Sequence, residues 1–431
     1  MCWTGDTVGK EFSMTKPAGT AVKAEIRREA TGFRLYRAGE PYFIKGAVYW
    51  ADPDGKFPLR GVAERGGNSV RCGGTHVARI LDAAAELRMT ATVGLPLKME
   101  SVHGFDYDDK AAVRAQFEEM RELIERYRNH PALLMWGVGN ELSVRYTNRN
   151  CWDAVNEIAE MIHELDPNHP AMTVVGGGAF GQRDDIQQII RRCPAIDVLG
   201  LNLYRELEEA PELIRAEGWP KPYAITEWGP TGHWQVPKTK WKLPIEETST
   251  EKAERYLSRY QGSVLRDRER CLGSYCFMWG QKQEQTHTWY GMFTSSGERN
   301  EAVHVMEYLW TGRWPSNRAP AIGALRVDDR PATDSLALEP GTTHAAVVCV
   351  EDPDRDPMSF EWELLPEPTQ FGYGGRGERK PDPIGGIVVE NRGRELRFQA
   401  PAASGNYRLF VTVRDGQGNA ATANFPFHVG D

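Results

Sequence analysis

The chain has 431 residues, of which 40% are hydrophobic and 26% charged, with 43 Gly and 27 Pro. That profile excludes collagen-like, low-complexity and disordered chains, and no apolar run reaches the roughly 18 residues that a membrane helix needs. Lys and Arg number 52 against 60 Asp and Glu, a net charge of −8, so the chain would repel a phosphate backbone and nucleic acid is not an expected partner.

Seven cysteines without a CxxC pair argue against a disulfide scaffold, a zinc ribbon or a thioredoxin-like site. The first residues, Met1 to Asp6, lack a charged and then apolar leader. That leaves two readings open: a cytoplasmic protein, or a periplasmic or secreted one whose signal peptide was removed.

In chain order, short apolar runs bounded by Gly, Pro or Asn predict strands at 42–49, 68–72, 91–95, 133–138, 172–175, 196–201, 222–226 and 273–279. Runs apolar throughout suit strands covered on both faces. Between most of them, i, i+3, i+4 patterns predict helices at 77–88, 110–129, 152–165, 184–192, 210–217, 250–266 and 301–310, with Asp109 and Thr250 as N-caps. Eight strand–helix repeats predict an α/β fold of the (β/α)8 TIM-barrel kind. After Pro315 the helical patterns stop, and short strands with turn signals predict a C-terminal β-sandwich. The expected division is an extension over 1–32, a barrel over 33–315 and a sandwich over 316–431. The Gly/Pro-rich stretch 371–386 reads as a mobile loop.

The active site of a barrel lies at the C-terminal ends of its strands. Two acids stand there: Glu141, after the fourth strand in Trp136-Gly137-Val138-Gly139-Asn140-Glu141, and Glu227, ending the seventh in Ile225-Thr226-Glu227-Trp228-Gly229. In this order the motifs resemble the retaining TIM-barrel glycoside hydrolases, most closely the catalytic barrel of glycoside hydrolase family 2. Asn129-His130-Pro131, Asp197-Val198-Leu199-Gly200-Leu201-Asn202-Leu203-Tyr204 and Gly39-Glu40-Pro41-Tyr42-Phe43 carry the same resemblance, over roughly residues 33–310.

The resemblance implies a retaining β-glycoside hydrolase with a carbohydrate substrate and no cofactor. Glu141 would be the acid/base and Glu227 the nucleophile, as retention requires of a close carboxyl pair. Asn140 would bind the sugar 2-OH. Arg71 would hydrogen-bond Glu227, and Tyr204 would contact it. Trp279 would form the floor of the sugar site. Asn202, Trp50, His103, Trp228 and Trp289 are further substrate-contact candidates, and the loops 229–248 and 280–297 would wall the cleft. No metal site is expected in the barrel. The acidic turn at 351–357 reads as solvated rather than as a calcium site. Residues 317–431 resemble an immunoglobulin-like or PKD-like accessory domain, a candidate surface for homo-oligomers. Two other readings stay open: a transglycosylase that uses a sugar acceptor, and a barrel that binds glycan without cleaving it. A phosphometabolite barrel is disfavoured, because Gly229-Pro230-Thr231-Gly232-His233-Trp234 is too aromatic for a phosphate loop.

Overall fold

The computed structural model describes residues 19–430 except 51, 53 and 177–181. The N-terminal residues on which the leader reading rests lie outside that set. The chain divides into two compact units. One takes the chain as far as Trp228 plus Arg259–Trp279; the other is Gly229–Ser258 plus everything from Gly280.

The first unit opens with an antiparallel sheet of β1 (Ala24–Glu29), β2 (Gly32–Arg37) and β3 (Glu40–Pro41). Eight parallel strands follow: β4 (Ile44–Val48), β5 (Ser69–Gly73), β6 (Thr90–Leu95), β7 (Leu133–Val138), β8 (Ala171–Gly176), β9 (Val198–Asn202), β10 (Tyr223–Trp228) and β11 (Cys271–Cys276). They close into a barrel in chain order, β11 pairing β4. The fold is therefore the expected barrel. Every residue of β7, β8, β9 and β11 is buried, which is why these strands read as continuous apolar runs rather than alternating ones.

The helices of this unit are α1 (Arg60–Glu64), α2 (Val77–Glu86), α3 (Glu100–His103), α4 (Lys110–Tyr127), α5 (Cys151–Leu165), α6 (Gln182–Arg192) and α7 (Ala210–Ala216). Asp109 caps α4, its carboxylate accepting from the N–H groups of Ala111 and Ala112. The short α1 and α3 have no counterpart in the sequence reading; four or five residues are too few to show a period.

The second unit holds α8 (Ser249–Arg259), α9 (Glu301–Thr311) and short strands from residue 321 onward. The cap of α8 is Thr248 rather than Thr250. Its hydroxyl accepts from the Glu251 N–H while the Glu251 carboxylate accepts from the Thr248 N–H, a reciprocal box. The C-terminal strands are β12 (Ala321–Ile322), β13 (Arg326–Val327), β14 (Ala337–Leu338), β15 (Thr343–Val347), β16 (Val350–Glu351), β17 (Ser359–Pro366), β18 (Val388–Asn391), β19 (Glu395–Gln399), β20 (Gly405–Arg414) and β21 (Ala420–Val429). They form sheets β13-β15-β19-β18 and β14-β21-β20-β17, with β12 on β16. Val327, Leu364, Phe398, Leu409, Val411, Phe425 and Phe427 belong to one buried core cluster, so the sandwich is present as expected.

Two loops leaving the barrel strands, 229–248 and 280–300, fold with this sandwich. The stretch 371–386, expected as mobile, is tied down. The Glu378 carboxylate accepts from the N–H groups of Gln285 and Gly372, Lys282 reaches the Gly374 carbonyl, and Lys380 pairs with Glu363. Among the described residues no helix is long and apolar enough to cross a membrane.

Candidate active site

Four barrel strands deliver polar groups to one network. Arg71, on β5, is 2% exposed. Its guanidinium donates to the Glu227 carboxylate at 2.7 Å and to Asn140 Oδ1 at 2.6 Å. Asn202, at the end of β9, donates from Nδ2 to that same Asn140 oxygen at 3.1 Å and to Glu141 Oε1 at 3.0 Å. The Asn202 amide is held in turn by the Thr226 hydroxyl, which donates to its Oδ1 at 2.7 Å. The path Glu227–Arg71–Asn140–Asn202–Glu141 is unbroken, so the structure brings both acids into one cluster.

The local backbone explains each placement. On β10, Glu227 pairs with Asn202 across the ladder, and its side chain is 14% exposed. Glu141 stands on a turn past β7 rather than on the strand. Gly139 (φ +74°) and Glu141 itself (φ +52°) are left-handed there. The turn swings the carboxylate over β8, so close to Gly176 that a Cβ there would lie 2.9 Å from Glu141 Oε1. A side chain at 176 would push that carboxyl aside.

Asn140 Oδ1 accepts two hydrogen bonds. Among the described residues no protein group accepts from its Nδ2, which leaves that donor for a ligand.

The aromatic candidates divide. Trp50 is half-buried, its ring edge-on to Phe277 with centroids 5.7 Å apart. Tyr204 meets the same Phe277 edge-on at 6.2 Å. Trp279, expected as an open sugar floor, is instead 2% exposed; its Cζ2 atom would lie 3.0 Å from a Cβ at Gly61. Trp228 is sealed at 0%, packed on Tyr260. Strand alternation explains that: next to Glu227, it must face the opposite side of β10. Trp289 belongs to the second unit, where it is buried and donates to the Thr231 carbonyl. His103 closes α3, its Nδ1 lying 2.8 Å from the Met99 N–H. These four read as packing or turn residues.

Thr226, Gly176 and Phe277 were not found by sequence reasoning. Thr226 lies in an apolar strand, Gly176 ends another, and Phe277 has no polar group to signal its place. In the second unit Asp352, Asp356 and Asp415 bring carboxylate oxygens within 4.8 Å of one another. Asp352 Oδ1 accepts from the N–H groups of Asp354 and Asp356, and Asp415 from those of Gln417 and Asn419. They brace their own turns, but Asp415 is buried and Asp352 and Asp356 are half-buried, so the cluster is less solvated than expected.

Residues 84–242 match the family described as glycosyl hydrolases family 2, TIM barrel domain. The matched stretch takes in strands β6 to β10 and both acids, Glu141 and Glu227. The FMN-binding beta-glucuronidase from Facaelibacterium prausnitzii L2-6 superposes with a TM-score of 0.53 at 16% identity, over 95% of this chain and 59% of its own. Beta-glucuronidase of Bacteroides uniformis gives 0.51 at 14%, over 94% and 48%. The beta-D-glucuronidase of Dictyoglomus thermophilum gives 0.51 at 19%, over 68% and 54%. The chain spans about half the length of these solved structures, and at such identities the likeness concerns the fold.

Proposed function

We propose that the protein is a β-glycoside hydrolase that retains anomeric configuration, with Glu227 as nucleophile and Glu141 as acid/base. The observation that carries this reading is the single network joining the two carboxylates through Arg71, Asn140 and Asn202. In the first step a Glu227 oxygen bonds to the anomeric carbon. The glycosidic C–O bond breaks, and Glu141 gives its proton to the departing oxygen. In the second step Glu141 takes a proton from water, the water oxygen bonds to the same carbon, and the Glu227 ester bond breaks. Arg71 orients Glu227 through a charge-assisted hydrogen bond. Asn140 offers its open Nδ2 to the sugar 2-OH. The half-buried Trp50 supports the role of sugar floor better than the sealed Trp279.

The substrate class is a β-linked oligo- or polysaccharide. A sugar acceptor in the place of water would turn the same intermediate to transglycosylation; product mass separates the two. A barrel that only binds glycan has no need of two linked carboxyls. The deciding experiment is Glu141→Ala with an activated aryl β-glycoside and azide. Azide should restore turnover and give the β-glycosyl azide, because it attacks the glycosyl-enzyme without needing a base. An α-glycosyl azide would reverse the assigned roles.

A further inference from the structure

Glu141 sits at φ +52°, in the left-handed region, on the turn that follows β7. A non-glycine residue in that region is strained and persists only where the surroundings impose it. The surroundings are specific. The Glu141 N–H donates to the Val174 carbonyl at 2.9 Å, and its carbonyl accepts from the Val144 N–H at 3.1 Å. Leu142, Ser143 and Val144 are all buried. Beyond them, the Tyr146 hydroxyl donates to Asp185 Oδ1 at 3.0 Å, and Ser143 faces the same carboxyl.

Asp185 is itself 2% exposed, in the first turn of α6. The neighbouring Asp184 grips the same loop through Arg149 at 2.6 Å, and Arg192 reaches the Arg149 carbonyl at 2.8 Å. Helix α6 thus holds the segment 143–149 from both of its ends, two to eight residues past the acid. The groups that face the Asp185 carboxyl are Ser143, Tyr146 and Arg149 from the loop, Asp184 from its own helix and Cys151 from α5. Burial dominates over these and pushes the carboxyl up to about 6. Such a group is a costly choice for a mere helix terminus, and its acceptors point at the turn that carries Glu141.

We propose that Asp185 is a positioning residue for Glu141, holding the acid/base turn through Ser143 and Tyr146; this rests on the proposed reading of Glu141. Glu227 is held separately, by Arg71 from β5. Loss of Asp185 therefore misplaces the proton donor and leaves the nucleophile in register. Displacement of a catalytic group by about 1 Å can cost a hundredfold, but only where that group is needed.

The test compares phenyl and 2,4-dinitrophenyl β-glycosides, as galactosides and glucuronides, on the full chain. Asp185→Ala should lower kcat/KM for the phenyl glycoside by roughly 10–100-fold, and for the dinitrophenyl glycoside, whose leaving group departs without a proton, by less than about threefold. Tyr146→Phe, the milder change, should show the same selectivity at a smaller size. Equal losses on both glycosides, or none on either, overturn the proposal. Should the wild type turn over no glycoside at all, the hydrolase reading fails instead. The crystal structure of the Asp185→Ala variant then decides the positioning claim: a Glu141 carboxylate still 3.0 Å from Asn202 overturns it, and one displaced by about 1 Å supports it.

Discussion

Each unit buries a charged network, and the two differ in what they leave open. In the barrel, Arg71 binds Glu227 and Asn140, yet Glu227 keeps an exposed face and Asn140 keeps a donor. In the second unit, Glu246 accepts from Lys252, Thr286, Thr288 and Asn424. Arg408 then binds Asn424, Glu367 and the Pro244 carbonyl. Burial would push the Glu246 carboxyl up, but the charges of Lys252 and Arg408 and the hydrogen bonds outweigh it and hold it below the usual range. A network whose valences are filled by protein, as those of Glu246 are, does structural work. One with valences turned outward is prepared for a ligand.

The largest test of that contrast sets two carboxylates against each other. Glu227→Gln should lower kcat roughly ten-thousandfold or more with little change in stability, because the proposed nucleophile is lost while the shape is kept. Glu246→Gln should do the reverse. It leaves the Lys252 charge buried without its partner and should cost about 3–5 kcal/mol in stability, with activity per folded molecule changed much less. Chemical denaturation beside initial rates on each variant separates the two outcomes. A Glu246→Gln enzyme that is stable but inactive would erase the distinction.

Gly176→Ala comes next. The added methyl meets the Glu141 carboxylate at 2.9 Å, so kcat/KM should fall roughly 10–100-fold, most for poor leaving groups. Unchanged kinetics would mean that the carboxylate can lie elsewhere at no cost.

The tryptophans sharpen the contrast within the barrel itself. Trp50→Ala should lower kcat/KM by roughly tenfold and keep the melting temperature, as loss of a stacking wall does. Trp279→Ala should melt far earlier, since truncating a buried Trp costs about 3–5 kcal/mol.

The smallest effect is a pH dependence. Asp185 titrates at about 6 in the fold against about 3.9 when unfolded. The folded state thus binds the proton more tightly, and the wild type loses stability as pH rises from about 4 through 6. Asp185→Asn, which has no such charge to bury, should gain on the wild type by on the order of 1 kcal/mol over that window. Parallel denaturation curves at pH 4.5 and 7.5 measure it.

Much of this was legible in the chain. The strands at 133–138, 171–176 and 198–202 announce themselves because burial on both faces demands unbroken apolar runs. The acids Glu141 and Glu227 stand out because each follows such a run directly. Asp109 reads as a cap because the helix it opens has orphan N–H groups to satisfy.

What only the tertiary structure decided depends on neighbours distant in sequence. Trp279 lies three residues past the end of β11, where alternation no longer tells inside from outside. That Arg71 holds Asn140 as well as Glu227 depends on three strands meeting at the barrel mouth. The grouping of 229–258 and 280–300 with the sandwich rests on contacts such as Arg408 with Pro244 and Asn424 with Glu246, more than 160 residues apart. Local pattern records how each segment meets solvent or core. It carries no record of which other segments fill a buried carboxylate's hydrogen-bonding valences, and that filling separates Glu246 from Glu227.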